Sequence, residues 1–450
     1  MSEQSSRVNV HSKLTAVSSK PVEPGKTHLL TPLDQAMGQH SLHLVFYYEK
    51  NPFGSFDLDP IRVSLSETLS LYPTVTGRLT RGESGNWEVK CNDSGVRVLR
   101  AKVSVGIDEW LRYGNGMEER DLAAWEDMPE NPNTWSPFRI QVTELEGGGV
   151  AIGLNCSHMN ADLTSLVLFF KTWTEAHRQQ AIVYPPVFSS ALHGRAVPVS
   201  DSKSAEHYVA KSFVEAPSVK MASTAFKFSN SVIKKCLSEI HVTCPDATPF
   251  DLLAALFWIP VARLNGSKHD HTHSISICID FRRLLKEPLS YGYFGNALHF
   301  SVLSLGEKDL IPGELGHVAE AVHGHIAGMK EEEILSVMDW LESRKGEGGK
   351  YAQPFRMYGP ELTCVSMEHM INGDQSLMYA TMFEDNVRPA HVACHVGNVE
   401  GEGLIMVMPS PEGALARTVM VTLPEEEIAK LCEDEAILRL EPTMLLSGGL

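Results

Sequence analysis

Two α/β halves of comparable length, joined by a tether, are the fold this sequence predicts. Helix and strand periodicities alternate over residues 21–183 and then restart over 221–450. Between them, residues 184–220 carry prolines at 185, 186, 198 and 217 among Ser, Lys and Glu, with little periodicity. A structureless connection of that length suits a crossover between two lobes better than the inside of one compact domain. At 450 residues and 43% hydrophobic content, the chain is long enough to bury two cores.

Residues 1–20 are polar and expected to be a flexible N-terminus. Turns at 22–27 and 31–34 lead into a strand over 43–48. Residues 59–71 read as an amphipathic helix with Ile61, Leu65 and Leu69 on one face, ended by Tyr72-Pro73 because the residue before proline leaves helical geometry. Strands follow from 74, over 87–91 and over 96–103, the last two divided by the turn Asn92-Asp93-Ser94-Gly95. Residues 110–125 mix helix and loop. Strands over 138–145 and 150–156 flank glycines 147–149 and form a hairpin. A helix over 163–177 has Leu163, Leu166, Val167 and Phe170 on its apolar face. In the second half, a strand over 224–228 precedes a helix over 229–240 opened by Ser229. A long apolar helix over 248–264 takes Thr248 and Pro249 as cap and first position, with Pro260 expected to kink it. Strands are predicted over 274–280, 362–366, 377–382, 391–396 and 403–408, and helices over 312–330, 331–343 and 424–432.

Composition excludes several functions. With 39 basic against 56 acidic residues, the formal charge of −17 argues against nucleic acid as a partner. The eight cysteines form no Cys-x-x-Cys pair, which points to reduced thiols, a cytoplasmic setting and no zinc site. His269-Asp270-His271-Thr272-His273 has no further ligand motif nearby and reads as a solvated loop, so no metal is expected. The longest apolar run, 252–262, is interrupted by Pro260 and too short to span a membrane.

The stretch 149–162 carries the chemistry. Val150, Ile152 and Leu154 alternate with small residues, so a buried strand delivers His158 into the loop before a helix, with Asp162 four residues on. Histidine suits a general base because its ordinary pKa lies near working pH. Alone the motif is weak: with 19 histidines, about one such pair arises by chance. His158 reads equally as a base or as a core histidine bonded to a carbonyl. Asp162 reads as an orienting carboxylate or as a helix cap.

Further segments fall into a recognisable order: Leu29-Leu30-Thr31-Pro32-Leu33-Asp34, Gly77-Arg78-Leu79, Ser157-His158-Met159-Asn160-Ala161-Asp162, Ile279-Asp280-Phe281-Arg282 and Gly292-Tyr293-Phe294-Gly295-Asn296. Over residues 25–430 the chain resembles the plant acyl-CoA-dependent acyltransferases called BAHD, within the chloramphenicol-acetyltransferase-like fold. That resemblance implies two such lobes joined by a long crossover, with an active-site channel between them. It implies acyl transfer from a CoA thioester to the hydroxyl or amine of a small plant metabolite or hormone, with His158 as general base. It also implies a structural ion pair between Asp162 and Arg282. Acyl-CoA is then a co-substrate, and no bound cofactor is expected. Direct transfer needs no covalent intermediate, in keeping with the lack of a Gly-x-Ser-x-Gly elbow.

One family segment, Asp-Phe-Gly-Trp-Gly-Lys-Pro, is replaced by Phe383-Glu384-Asp385-Asn386-Val387-Arg388-Pro389. By position, Asn386 is a candidate oxyanion donor or only a turn residue. Arg283 and Lys286 are candidates to meet coenzyme A phosphates, against a default of surface solvation. Tyr358-Gly359-Pro360-Glu361-Leu362-Thr363 is similar to the eceriferum/glossy-like branch. That branch implies an alternative: a weakly or non-catalytic protein assisting very-long-chain fatty-acid elongation for cuticular wax. A fatty-acid elongase would then be its partner, with endoplasmic-reticulum association or the nucleus as its location.

Overall fold

The computed structural model describes residues 6–23, 25–54, 58–188, 203–212, 219–266, 271–351, 354–373 and 375–448. Two mixed sheets organise it. A six-stranded sheet runs Asn9–Ala16, Val96–Val103, Phe138–Leu145, Val150–Ser157, Ser41–Tyr48, His391–Val396. A seven-stranded sheet runs Leu298–Gly306, Thr272–Asp280, Leu362–Ser366, Leu404–Pro409, Arg417–Pro424, Met221–Phe228, Thr443–Leu445. Strands Thr27–Leu29, Trp87–Lys90 and Arg78–Arg81 form a small third sheet.

The strand Val150–Ser157 lies inside the first sheet, antiparallel to Phe138–Leu145 and to Ser41–Tyr48, and all eight of its residues are buried. On one face, Phe170 of the helix Leu163–His177 packs on Phe46, the cross-strand partner of Ile152. On the other, backbone comes very close: a Cβ on Gly153 would lie 2.1 Å from the Leu122 carbonyl. Asn155 Nδ2 donates to the Ala123 and Ala124 carbonyls at 2.6 and 2.9 Å on that same face. The alternation of large and small residues thus sorts a side-chain-packed face from a backbone-packed one.

Several expectations are corrected. The 1–20 segment is not loose throughout: Asn9–Ala16 pairs antiparallel with Val96–Val103 as an edge strand. Its inward positions, Val10, Ser12, Leu14 and Ala16, include a polar residue that dilutes the pattern. The lobes are not separate in sequence either, because His391–Val396 from the second half joins the first sheet beside Ser41–Tyr48. The crossover contains the helix Lys203–Lys211, which buries Tyr208 and Lys211; its stretches 189–202 and 213–218 lie outside the described residues. Residues 377–380 form a turn in place of a strand, closed by Ala380 N–H on the Ser376 carbonyl at 3.0 Å. His273 is not in a solvated loop but buried in Thr272–Asp280, while 269 and 270 lie outside the described residues. Strands Leu298–Gly306 and Arg417–Pro424 were not anticipated.

Other elements fall close to expectation. The helix Pro249–Leu264 opens with a Thr248/Asp251 capping box and Pro249 in its first turn, and it continues through Pro260. One apolar core runs from Phe46 and Phe170 in the first lobe to Tyr293, Phe300 and Tyr358 in the second, while a separate core around Phe226, Phe257 and Trp258 belongs to the second lobe alone.

Gly153→Ala must push the 120–123 turn off the sheet. Overpacking of this kind costs about 1–3 kcal/mol, and urea unfolding should show that loss, whereas Gly147→Ala, with nothing within 4 Å of the added Cβ, should show only the cost of its positive φ.

Candidate active site

His158 follows the last residue of its strand and is fixed by its backbone, whose N–H donates to the His40 carbonyl at 3.0 Å. Its ring Nδ1 lies 3.1 Å from the Ala161 carbonyl. A carbonyl only accepts, so Nδ1 carries the proton and Nε2 presents a lone pair. That lone pair accepts from the Tyr358 hydroxyl at 2.9 Å, and the two rings stack with centroids 5.7 Å apart. His158 is 0% exposed. Burial lowers its pKa from the ordinary 6.5 to about 4, against the opposing pull of its hydrogen bonds and of Asp162. The imidazole is therefore neutral and in the tautomer that a base acting through Nε2 requires. The channel expected between the lobes is closed at this histidine.

Asp162 does both things the sequence left open. It is the N-cap of Leu163–His177, accepting from Ser165 N–H at 2.8 Å. It also takes a bidentate pair from Arg282, with Nη1 to Oδ2 at 2.8 Å and Nη2 to Oδ1 at 3.0 Å, and the Ala297 N–H at 3.0 Å. Arg282 donates further to Asp280, to Ser165 Oγ at 3.1 Å and to the Tyr293 and Gly295 carbonyls at 3.1 and 3.2 Å. Burial works against the guanidinium charge, but Asp162 and Asp280 more than offset it and raise the Arg282 pKa. The carboxylate is directed at Arg282, so it acts on His158 through the loop between them.

The remaining motifs converge on the same place. Asn296 Nδ2 donates to the His158 carbonyl and to Asp34 Oδ1, both at 2.8 Å. Asp34 Oδ2 accepts from Thr31 N–H and Oγ1, both at 2.7 Å. Desolvation raises the Asp34 pKa, tempered by its bonds to Asn296 and Thr31. The Thr31–Asp34 turn, the His158 loop, the Arg282 strand end and the 292–296 turn thus form one buried polar network.

The segment bearing Tyr358 is held from two sides. Met357 N–H donates to His40 Nε2 at 3.1 Å, while His40 Nδ1 lies 3.0 Å from the Gly397 carbonyl. Burial takes the His40 pKa down to about 3, so it too is neutral. Lys211, from the crossover helix, donates to the Met357 carbonyl at 2.9 Å and pairs with Glu361, bracketing Tyr358. Reading the sequence missed Tyr358, His40 and Lys211 as site residues. His158 and Tyr358 are 200 residues apart, and no spacing rule connects them.

Asn386 is corrected. It is exposed, at φ 67° in a left-handed turn. Its neighbours seat at the C-terminal end of Leu163–His177: Phe383 packs on Trp173 and His177, and Asp385 pairs with Arg178 at 3.1 Å. A 15-residue helix separates that end from Asp162 by about 22 Å, too far for an oxyanion donor. Arg283 is exposed, its guanidinium 5.1 Å from the Tyr291 ring centroid. Lys286 is exposed and engaged by Glu331 and Glu332 at 3.3 and 2.7 Å. Neither cation belongs to the buried network. Among the described residues no group of three His, Cys, Asp or Glu side chains is placed to hold a metal ion, and no helix is long and apolar enough to cross a membrane.

The Transferase family profile matches residues 6–438. The chain belongs to the BAHD transferase family. Among BAHD relatives, it is 27% identical over 424 residues to Protein ECERIFERUM 26-like of Arabidopsis thaliana, covering 93% of this chain and 92% of that one. It is 23% identical over 400 residues to shikimate O-hydroxycinnamoyltransferase of Nicotiana tabacum, covering 86% and 90%. In fold it is similar to F. graminearum TRI101 crystallised with coenzyme A and deoxynivalenol, with a TM-score of 0.73 at 14% identity, covering 93% and 100%. The BAHD fold and its two sheet-rich lobes are thereby shown.

Two measurements test this network. Arg282→Ala leaves Asp162 and Asp280 buried without their cation, a loss of about 3–5 kcal/mol in urea unfolding; a change below 1 kcal/mol would remove Arg282 from its structural role. A histidine whose folded pKa is depressed binds its proton in the unfolded chain first, so its contribution to stability is full above about pH 6.5 and falls toward pH 4. His158→Gln should therefore flatten the dependence of unfolding free energy on pH between those limits by up to about 1.4 kcal/mol per pH unit.

Proposed function

We propose that this BAHD protein is an acyl-CoA-dependent acyltransferase acting by direct general-base catalysis at His158. The observation that carries the reading is the His158 tautomer: Nδ1–H is committed to the Ala161 carbonyl, and the Nε2 lone pair meets a hydroxyl at 2.9 Å. In the reaction that hydroxyl belongs to the acceptor. His158 Nε2 takes its proton as the oxygen attacks the thioester carbonyl, the tetrahedral intermediate collapses with loss of the CoA thiolate, and the imidazolium returns the proton to sulfur. Asp162 and Arg282 keep the His158 loop in place. The hydroxycinnamoyltransferase relative and the coenzyme A bound to the TRI101 neighbour support acyl-CoA as donor and a small alcohol or amine as acceptor.

Two observations favour a second reading, a weakly or non-catalytic family member that assists very-long-chain fatty-acid elongation: His158 is 0% exposed, and an ECERIFERUM protein is among the relatives.

Purified protein given a panel of acyl-CoAs and candidate acceptors should release free thiol. His158→Ala should lower that rate about 10²–10⁴-fold, the usual contribution of a positioned base. Equal inertness of both proteins, with His158→Ala still restoring wax chain length in a plant lacking the gene, would sink the enzyme reading in favour of the accessory one.

A further inference from the structure

The Tyr358 phenol does not sit beside the base; it occupies the base. We propose that Tyr358 is an internal stand-in for the acceptor hydroxyl, closing the acceptor site of the BAHD protein until the 355–361 segment withdraws. The inference rests on the acyltransferase reading and adds a regulatory contact to it.

A neutral imidazole has one lone pair in the ring plane. Once Nδ1 is protonated, Nε2 can accept a single strong hydrogen bond. Tyr358 Oη already makes that bond at 2.9 Å. Acceptor and Tyr358 therefore exclude each other at the atom where proton transfer begins. The ring adds a steric block: Tyr358 is 2% exposed, stacked along His158 and edge-on to His40 and Phe300 with centroids 5.1 and 5.5 Å away. With His158 itself 0% exposed, the Tyr358 ring covers the face of the imidazole that its hydroxyl engages.

The plug also has a holder outside the catalytic network. Lys211 ends the crossover helix Lys203–Lys211, and its ammonium bridges the Met357 carbonyl and the Glu361 carboxylate on either side of Tyr358. Arg356 N–H donates to the Lys211 carbonyl at 3.2 Å, and Phe355 N–H to the Ala36 carbonyl at 2.8 Å. Burial lowers the Lys211 pKa, an effect that Glu361 opposes, so breaking that pair would strand a charge and release the segment. Movement of the crossover helix is the simplest way to draw Tyr358 off His158.

Accessibility can be read without catalysis. Diethyl pyrocarbonate acylates an unprotonated imidazole nitrogen, and peptide mass mapping reports His158 separately from the other histidines. In native protein His158 should stay unmodified, while Tyr358→Ala, and Tyr358→Leu as the variant that keeps more of the packing, should raise its modification rate at least tenfold. Thiol release with acyl-CoA and a small alcohol should rise at least tenfold in the same variants and vanish when His158→Ala is added. If His158 is no more reactive in either folded variant than in the native chain, the stand-in is refuted. Two other results refute it too: Tyr358→Phe as slow as His158→Ala while the native protein turns over, or Tyr358 recovered as an acyl ester. The first makes Tyr358 a participant in transfer and the second an acyl acceptor. If reactivity rises while every variant remains inert toward acyl-CoA, Tyr358 covers His158 but has no acceptor to stand in for, and the proposal falls together with the acyltransferase reading.

Discussion

The Arg282 guanidinium lies wholly out of solvent, and a charge in that position is tolerable only when carboxylates and carbonyls replace the water it has lost. Asp162, Asp280, Ser165 and two carbonyls of the 292–296 turn do so here. The partners come from both lobes, so satisfying one cation fixes where the second-lobe strand end meets the first-lobe helix. His158 is positioned as a consequence: its loop is held between the capped helix start at Asp162 and the Asn296 amide on its own carbonyl.

That arrangement separates two tasks often assigned to one aspartate. A carboxylate bonded directly to His158 would favour its charged form and raise its pKa. Asp162 spends both oxygens on Arg282, Ser165 N–H and Ala297 N–H, and a backbone carbonyl orients the ring instead. Burial then dominates and keeps the imidazole neutral. The ion pair supplies rigidity, and desolvation sets the protonation state.

What the sequence made legible follows from the range of the forces involved. Leu163–His177 and the strand before it were readable because period and capping are local signals. Asp162 and Arg282 came from an ordered set of motifs, which spacing alone would not have joined. Asn9–Ala16 escaped because an edge strand with Ser12 on its inner side shows little contrast. Asn386 was placed by its slot in a degenerate segment, yet the buried residue there is Phe383, which seals the far end of the helix. Tyr358 was visible only as part of a branch-like string, since a hydrogen bond spanning 200 residues leaves no mark on either neighbourhood.

The tyrosine also reconciles features that otherwise pull apart. A neutral histidine of fixed tautomer and a paired arginine are what the proposed direct acyl transfer needs. Full burial and an occupied lone pair are what a protein that binds no acceptor would have. Both follow if the hydroxyl on Nε2 is intramolecular and displaceable. Its exchange for an acceptor trades one neutral hydrogen bond for another, a small net change. The larger cost of opening is apolar: an aromatic ring must leave His40, Phe300 and His158. An acceptor that returns comparable apolar area to the vacated space offsets that cost, whereas water does not. Under the proposed acyltransferase function, a site closed this way would discriminate against hydrolysis of the thioester, because the molecule that opens it is the one able to fill it.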